Sequence, residues 1–188
     1  MFLEMLRDAA SQTQIPSPLG RFLEQLALFL DAVASSSFLQ ARRNQALVGA
    51  TPISDQVLIA ANGTFFKRGG KISYDGTSGI FTLQPGTYEL RATVGANTFS
   101  DANGFFGFVW GNADDPANEQ FGSVGKAVAL TTNSQESPNP EAVALLDTRV
   151  TSAGNAPLRV ALVVAGNTGG LSVTISPGAV ALTIKEIN

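Results

Sequence analysis

The chain has 188 residues, with 12 Lys and Arg against 15 Asp and Glu; its net charge of −3 lacks the basic surface that a nucleic-acid partner demands. It contains no cysteine and no histidine, which excludes disulfides, thiolate metal sites and the commonest general base. A hydrophobic fraction of 44% with 14% charged residues indicates a globular chain, and 19 glycines provide for many turns.

Met1 to about Val48 reads helical. The first piece, Phe2 to about Thr13, carries Phe2, Leu3, Met5 and Leu6 and is interrupted by Gln14-Ile15-Pro16-Ser17-Pro18. Glu4, Arg7 and Asp8 stand where a secretory signal would place a basic region and an apolar core. A second piece starts near Leu19, with Ser17 as a cap and Pro18 at the first helical position. Leu19, Leu23, Leu26, Leu30 and Val33 step by alternating fours and threes, and Phe22 and Phe29 widen the stripe. Such a helix either packs on its own domain or associates with sister chains or a larger assembly. The second reading is preferred, because this region differs so much in composition from the glycine-rich remainder of the chain. Leu26 to Ala34 is too short to span a bilayer and is broken by Asp31, so no membrane partner is expected.

Gly49-Ala50-Thr51-Pro52 marks the expected joint, giving a helical segment over 1–50 and a β domain over 51–188. Expected strands are Gln56–Ala60, Thr64–Phe66, Ile72–Tyr74, Ile80–Leu83, Thr87–Val94, Gly104–Trp110, Ser123–Leu130, Ala142–Val150, Leu158–Val164, Leu171–Ser176 and Ala179–Ile187. The segment Ile80 to Val94 carries the most information. Tyr88, Leu90, Ala92 and Val94 share one face, Thr87, Glu89, Arg91 and Thr93 the other, and Pro85-Gly86 reads as a tight turn before them. Short strands between turns, with no helical interludes, predict a mainly β chain forming an antiparallel sandwich.

Candidate chemistry is sparse. Ser123-Val124-Gly125-Lys126 has Ser-x-x-Lys spacing, but that chemistry needs a helical turn and the surroundings read as strand. Asp114, Asp115 and Glu119 form the one acidic cluster, read first as a solvated turn and second as a calcium site. Asp101-Ala102-Asn103-Gly104 reads as an Asx turn, and Asn62-Gly63-Thr64 as a hairpin turn rather than a glycosylation site. Lys67-Arg68-Gly69-Gly70-Lys71 reads as a basic hairpin tip, solvated or touching an acidic partner. Phe106, Phe108 and Trp110 share a strand face that is core, subunit interface or carbohydrate platform. No cofactor is expected, and no enzymatic activity.

Three landmarks together resemble the tumour-necrosis-factor and complement-type jelly-roll superfamily, especially its bacterial and phage members. They are the strand pair Phe81 to Leu90 around Pro85-Gly86, the strand Gly104-Phe105-Phe106-Gly107-Phe108-Val109-Trp110, and the closing run Ile175 to Ile187. The resemblance covers about Gln56 to Asn188. It implies a jelly roll, a homotrimer built through aromatic and small apolar faces, and no shared enzymatic activity. A helix ahead of such a head resembles virion spikes, fibres and capsid cement proteins. The expectation is therefore a trimeric capsid decoration protein at the virion surface. It would dock on a capsid or other virion protein through Leu19, Phe22, Leu23, Leu26, Phe29, Leu30 and Val33, with Tyr88, Phe106, Phe108 and Trp110 as trimer or core aromatics. The alternative is a spike or fibre head that reads a host glycan or protein.

Overall fold

The computed structural model describes residues 21–23, 25–27, 36–43, 47–48, 65–95, 98–100, 103–131, 134–135, 140–151, 156–168, 172–175 and 178–187. The chain divides into two units, residues 1–36 with Asn188, and Ser37–Ile187. In the first, residues 21–23 and 25–27 are helical. Among its described residues, the second is all β apart from one helical turn at Thr148–Thr151.

Its strands are β1 (Phe38–Arg42), β2 (Leu47–Val48), β3 (Phe65–Arg68), β4 (Ile72–Asp75), β5 (Ile80–Leu83), β6 (Thr87–Val94), β7 (Thr98–Phe99), β8 (Phe105–Asn112), β9 (Gln120–Thr131), β10 (Ser134–Gln135), β11 (Glu141–Asp147), β12 (Leu158–Asn167), β13 (Val173–Ile175) and β14 (Val180–Ile187). One sheet has five strands in the order β11-β6-β14-β1-β3, and the facing sheet has six in the order β10-β9-β8-β12-β5-β4. A small β2-β13-β7 sheet completes the described pairing, and every described pair is antiparallel.

Alternation builds the sandwich. On β6, Tyr88, Leu90, Ala92 and Val94 are buried, and on β14 so are Val180, Leu182 and Ile184; the residues between them face outward. From the opposite sheet come Phe81, Leu83, Phe106, Phe108, Trp110, Val160, Leu162 and Val164. Burying each such large side chain contributes roughly 1.5–3 kcal/mol, so this interior dominates the stability of the fold. The rings meet edge-on or tilted, Phe81 to Trp110 at 5.7 Å and Phe106 to Phe108 at 5.9 Å, while Tyr74 stacks on Phe81 at 4.2 Å.

Four sequence expectations differ from the structure. The helical reading of Met1 to Val48 fails at its end, because Phe38-Leu39-Gln40-Ala41-Arg42 is strand β1. Leu39 and Ala41 alternate inward there, and β14 and β3 hold the strand on its two sides. The expected strand Ala142–Val150 ends at Asp147, whose side chain caps the backbone N–H of Arg149 at 3.0 Å and starts the helical turn. The Lys67–Lys71 segment is not a hairpin tip. It joins β3, the last strand of the five-stranded sheet, to β4, the last strand of the six-stranded one. Pro85-Gly86 likewise passes from β5 in one sheet to β6 in the other. The expected strand Gln56–Ala60 lies outside the described residues.

Candidate functional site

The sequence-predicted aromatics all lie inside. Tyr88, Phe106, Phe108 and Trp110 are fully buried between the sheets, so any partner must read other residues. Of the predicted docking positions, Phe22 is exposed and Leu23 and Leu26 are half-buried; Leu19, Phe29, Leu30 and Val33 lie outside the described residues.

The reactive-looking groups do not converge. Ser123 Oγ accepts the Val143 N–H at 3.0 Å, while Lys126 Nζ sits 4.1 Å from the centre of the Phe105 ring, so the two share no site. The acidic cluster is spent on partners in its own turn and on β12. Asp114 pairs with Arg159, Asn118 Nδ2 donates to Asp115 Oδ1 at 2.9 Å, and Asn112 Nδ2 donates to Glu119 Oε2 at 2.6 Å. Among the described residues, no three acidic side chains gather as metal ligands would.

Two features went unread in the sequence. The first is a polar network at one end of the sandwich, where both sheet crossings meet. Glu186, buried at 4% exposure, accepts the Ser37 N–H at 3.1 Å through Oε2 and pairs with Lys71 through Oε1. The Lys71 N–H donates to Ser37 Oγ at 3.1 Å, and the Lys71 carbonyl accepts the Gln84 N–H at 2.9 Å. The Gln84 carbonyl accepts the Tyr88 hydroxyl at 2.7 Å and lies 3.3 Å from Thr148 Oγ1. Thr148 Oγ1 accepts the Gly86 N–H at 2.9 Å, which fixes the Pro-Gly crossing. Burial, and then the charge of Glu186, push the Tyr88 phenol up to about 12.

The second is the outward face of the five-stranded sheet. Register places Leu145, Glu89, Lys185, Phe38 and Arg68 in one row across it, and Val143, Arg91, Thr183, Gln40 and Phe66 in the next. Leu145 is 72% exposed at the β11 edge and Phe66 62% exposed at the β3 edge, beside Phe38 at 6.2 Å between ring centres. The charges are divided in the same way. Glu89, Glu141 and Asp147 lie on β6 and β11, where Arg91 and Arg149 partly neutralise them, while on this face β1 and β3 carry Arg42 and Arg68 and no acidic residue.

The strand order settles the architecture. The body is a jelly roll of the tumour-necrosis-factor type. A solved structure of Eiger TNF from S. frugiperda superposes on the chain with a TM-score of 0.51 at 12% identity, covering 82% of this chain and 92% of that one. Murine APRIL at pH 5.0 matches at 11% identity and a TM-score of 0.45, over 81% of this chain and 100% of that one. The PRD1 vertex protein P5 matches at 14% identity and a TM-score of 0.45, over 82% of this chain and 74% of that one. No family model and no curated protein matches the chain. Among the described residues, no helix of the jelly-roll chain is long and apolar enough to cross a membrane.

Proposed function

We propose that the chain is a binding protein without chemistry of its own, a homotrimeric virion component that decorates and cements a capsid. One observation carries the self-association. Two apolar patches stand at opposite edges of one sheet face, Leu145 on the acidic side and Phe66 with Phe38 on the basic side. Patches that differ and lie apart suit a head-to-tail contact, in which the β11 edge of one copy meets the β3 edge of the next, and such contacts form a ring where the rotation between copies closes. A two-fold contact would use both patches at once and stop at a dimer.

The separate N-terminal unit supports docking. Phe22 is exposed there, and Leu23 and Leu26 lie beside it on the predicted stripe. Three such segments on one trimer multiply modest single contacts by avidity. The second reading, a receptor-binding head at the virion surface, uses the same trimer and differs only in what its loops meet.

Light scattering on the full chain tests the assembly, with a mass of three chains expected and a monomer at high concentration counting against it. Added to undecorated capsids, the protein should raise their melting temperature. Blocked adsorption to host cells with unchanged capsid stability would select the receptor-binding reading. A Ser123→Ala, Asp115→Asn, Glu119→Gln triple variant that lost an activity shown by the parent chain would sink the non-enzymatic reading.

A further inference from the structure

We infer that Glu186 is a pin that holds the root of the N-terminal segment. A buried carboxylate is rare and costly unless paired and hydrogen-bonded, so its position calls for a reason. Here every bond it makes converges on one place. Its Oε2 holds the Ser37 N–H at 3.1 Å, its Oε1 holds Lys71, and its own backbone N–H donates to the Ser37 carbonyl at 2.8 Å. Ser37 is the first residue of the jelly-roll unit, the point where the preceding 36 residues join it.

The crossing from β3 to β4 is shaped around the same residue. Gly69 has φ +75°, and a Cβ there would stand 2.5 Å from Ser37 Oγ and 2.8 Å from Ser37 Cα. The Lys71 N–H donates to Ser37 Oγ at 3.1 Å. Ser37 is therefore gripped on its N–H, its carbonyl and its hydroxyl by two elements distant in sequence. One is the end of β14, a central strand; the other is the crossing between the sheets. Beyond Ser37, β1 lies between β14 and β3.

This arrangement passes a load on the N-terminal segment into the middle of the five-stranded sheet instead of letting β1 peel from its end. Removing the carboxylate takes away the acceptor of the Ser37 N–H and the partner of Lys71, and so loosens the root while leaving the aromatic core intact. The charged and titratable groups that face Glu186 in this network are Lys71 from the crossing and Tyr88 from β6. The use of the pin rests on the proposed docking role, but its existence rests only on this geometry.

Hydrogen exchange on the full chain, with no capsid present, separates the two. In Glu186→Leu, which removes both acceptor oxygens, and in the Glu186→Leu/Lys71→Met double variant, which also removes the partner charge, amides of residues 37–43 and 69–71 should exchange about tenfold faster or more by local opening. Amides of β6 and β8 should keep the parent rates, and tryptic cleavage after Arg42 should become fast. Acceleration of all amides together in both variants would make Glu186 a general brace of the fold and overturn the pin, as would unchanged exchange at residues 37–43. Capsid docking, assayed separately on the parent chain, can fail without touching this result.

Discussion

Glu186 and Tyr88 stand opposite each other in register on β14 and β6, and both side chains point between the sheets. The phenol is pushed up to about 12 by burial first and by the Glu186 charge second. In the unfolded chain it titrates near 10. Between about pH 10 and about pH 12 the folded chain therefore holds a proton that the unfolded chain has lost, and stability falls as pH rises through that window. Below about pH 10 this contribution is fully present. Tyr88→Phe should flatten the alkaline slope of the melting temperature, at some cost at neutral pH from losing the bond to the Gln84 carbonyl. An unchanged slope in Tyr88→Phe would assign the alkaline loss to other groups.

Where β9 and β11 close the sandwich, the backbones approach through glycine. A Cβ on Gly122 (φ +77°) would fall 2.0 Å from the Val143 carbonyl oxygen and 2.6 Å from Ala144 Cα, and one on Gly125 would fall 2.4 Å from the Phe108 ring. Gly178 has a similar φ of +79°, but a Cβ there meets nothing within 4 Å. Gly178→Ala should thus cost only the left-handed penalty, about 1–2 kcal/mol. Gly122→Ala adds backbone overlap to that penalty and should cost about 3 kcal/mol or more. Urea unfolding of the two variants decides it, and equal losses would deny the close approach.

Much of this fold is legible in the sequence, and the gaps have physical causes. β5 and β6 fall where alternation and the Pro-Gly turn place them, because side-chain parity is a local property. Parity does not say which sheet a strand joins, so the two crossings at Gly69-Gly70 and Pro85-Gly86 read as turns between paired strands. β1 escapes a sequence reading because Phe38-Leu39 follows a helical stripe out of phase, and a five-residue strand held from both sides needs little propensity of its own. Glu186 does carry a signal. Val180, Leu182, Ile184 and Glu186 share one parity, which points a carboxylate inside the sandwich. Leu145 and Phe66 look like core residues in composition, and only register places them outward.

Trp110 is the one described buried side chain whose polar atom, Nε1, finds no hydrogen-bond partner. An unmade buried hydrogen bond costs about 1–3 kcal/mol. Trp110→Phe removes that cost along with the pyrrole ring, so cavity loss and relief oppose each other. Its net effect should stay within about 1 kcal/mol, whereas Phe108→Ala, with nothing to relieve, should lose about 3–5 kcal/mol. A large loss in Trp110→Phe by thermal or urea unfolding would mean that the indole N–H is satisfied in solution.

The head-to-tail reading of the trimer makes a directional claim. Leu145→Asp adds a charge to an exposed position on the acidic edge, and Phe66→Asp removes the exposed ring on the basic edge. Neither touches the core, so each variant should keep the parent circular dichroism and fold as a monomer. In a ring every contact joins one edge of each kind. A 1:1 mixture of the two variants therefore pairs the intact β3 edge of Leu145→Asp with the intact β11 edge of Phe66→Asp. That mixture should recover a dimer by light scattering but not a closed trimer, since the remaining contact would join two damaged edges. If the face instead met its own copy across a two-fold axis, the parent chain would scatter as a dimer and not a trimer, and the mixed pair would combine one intact contact with one doubly damaged contact.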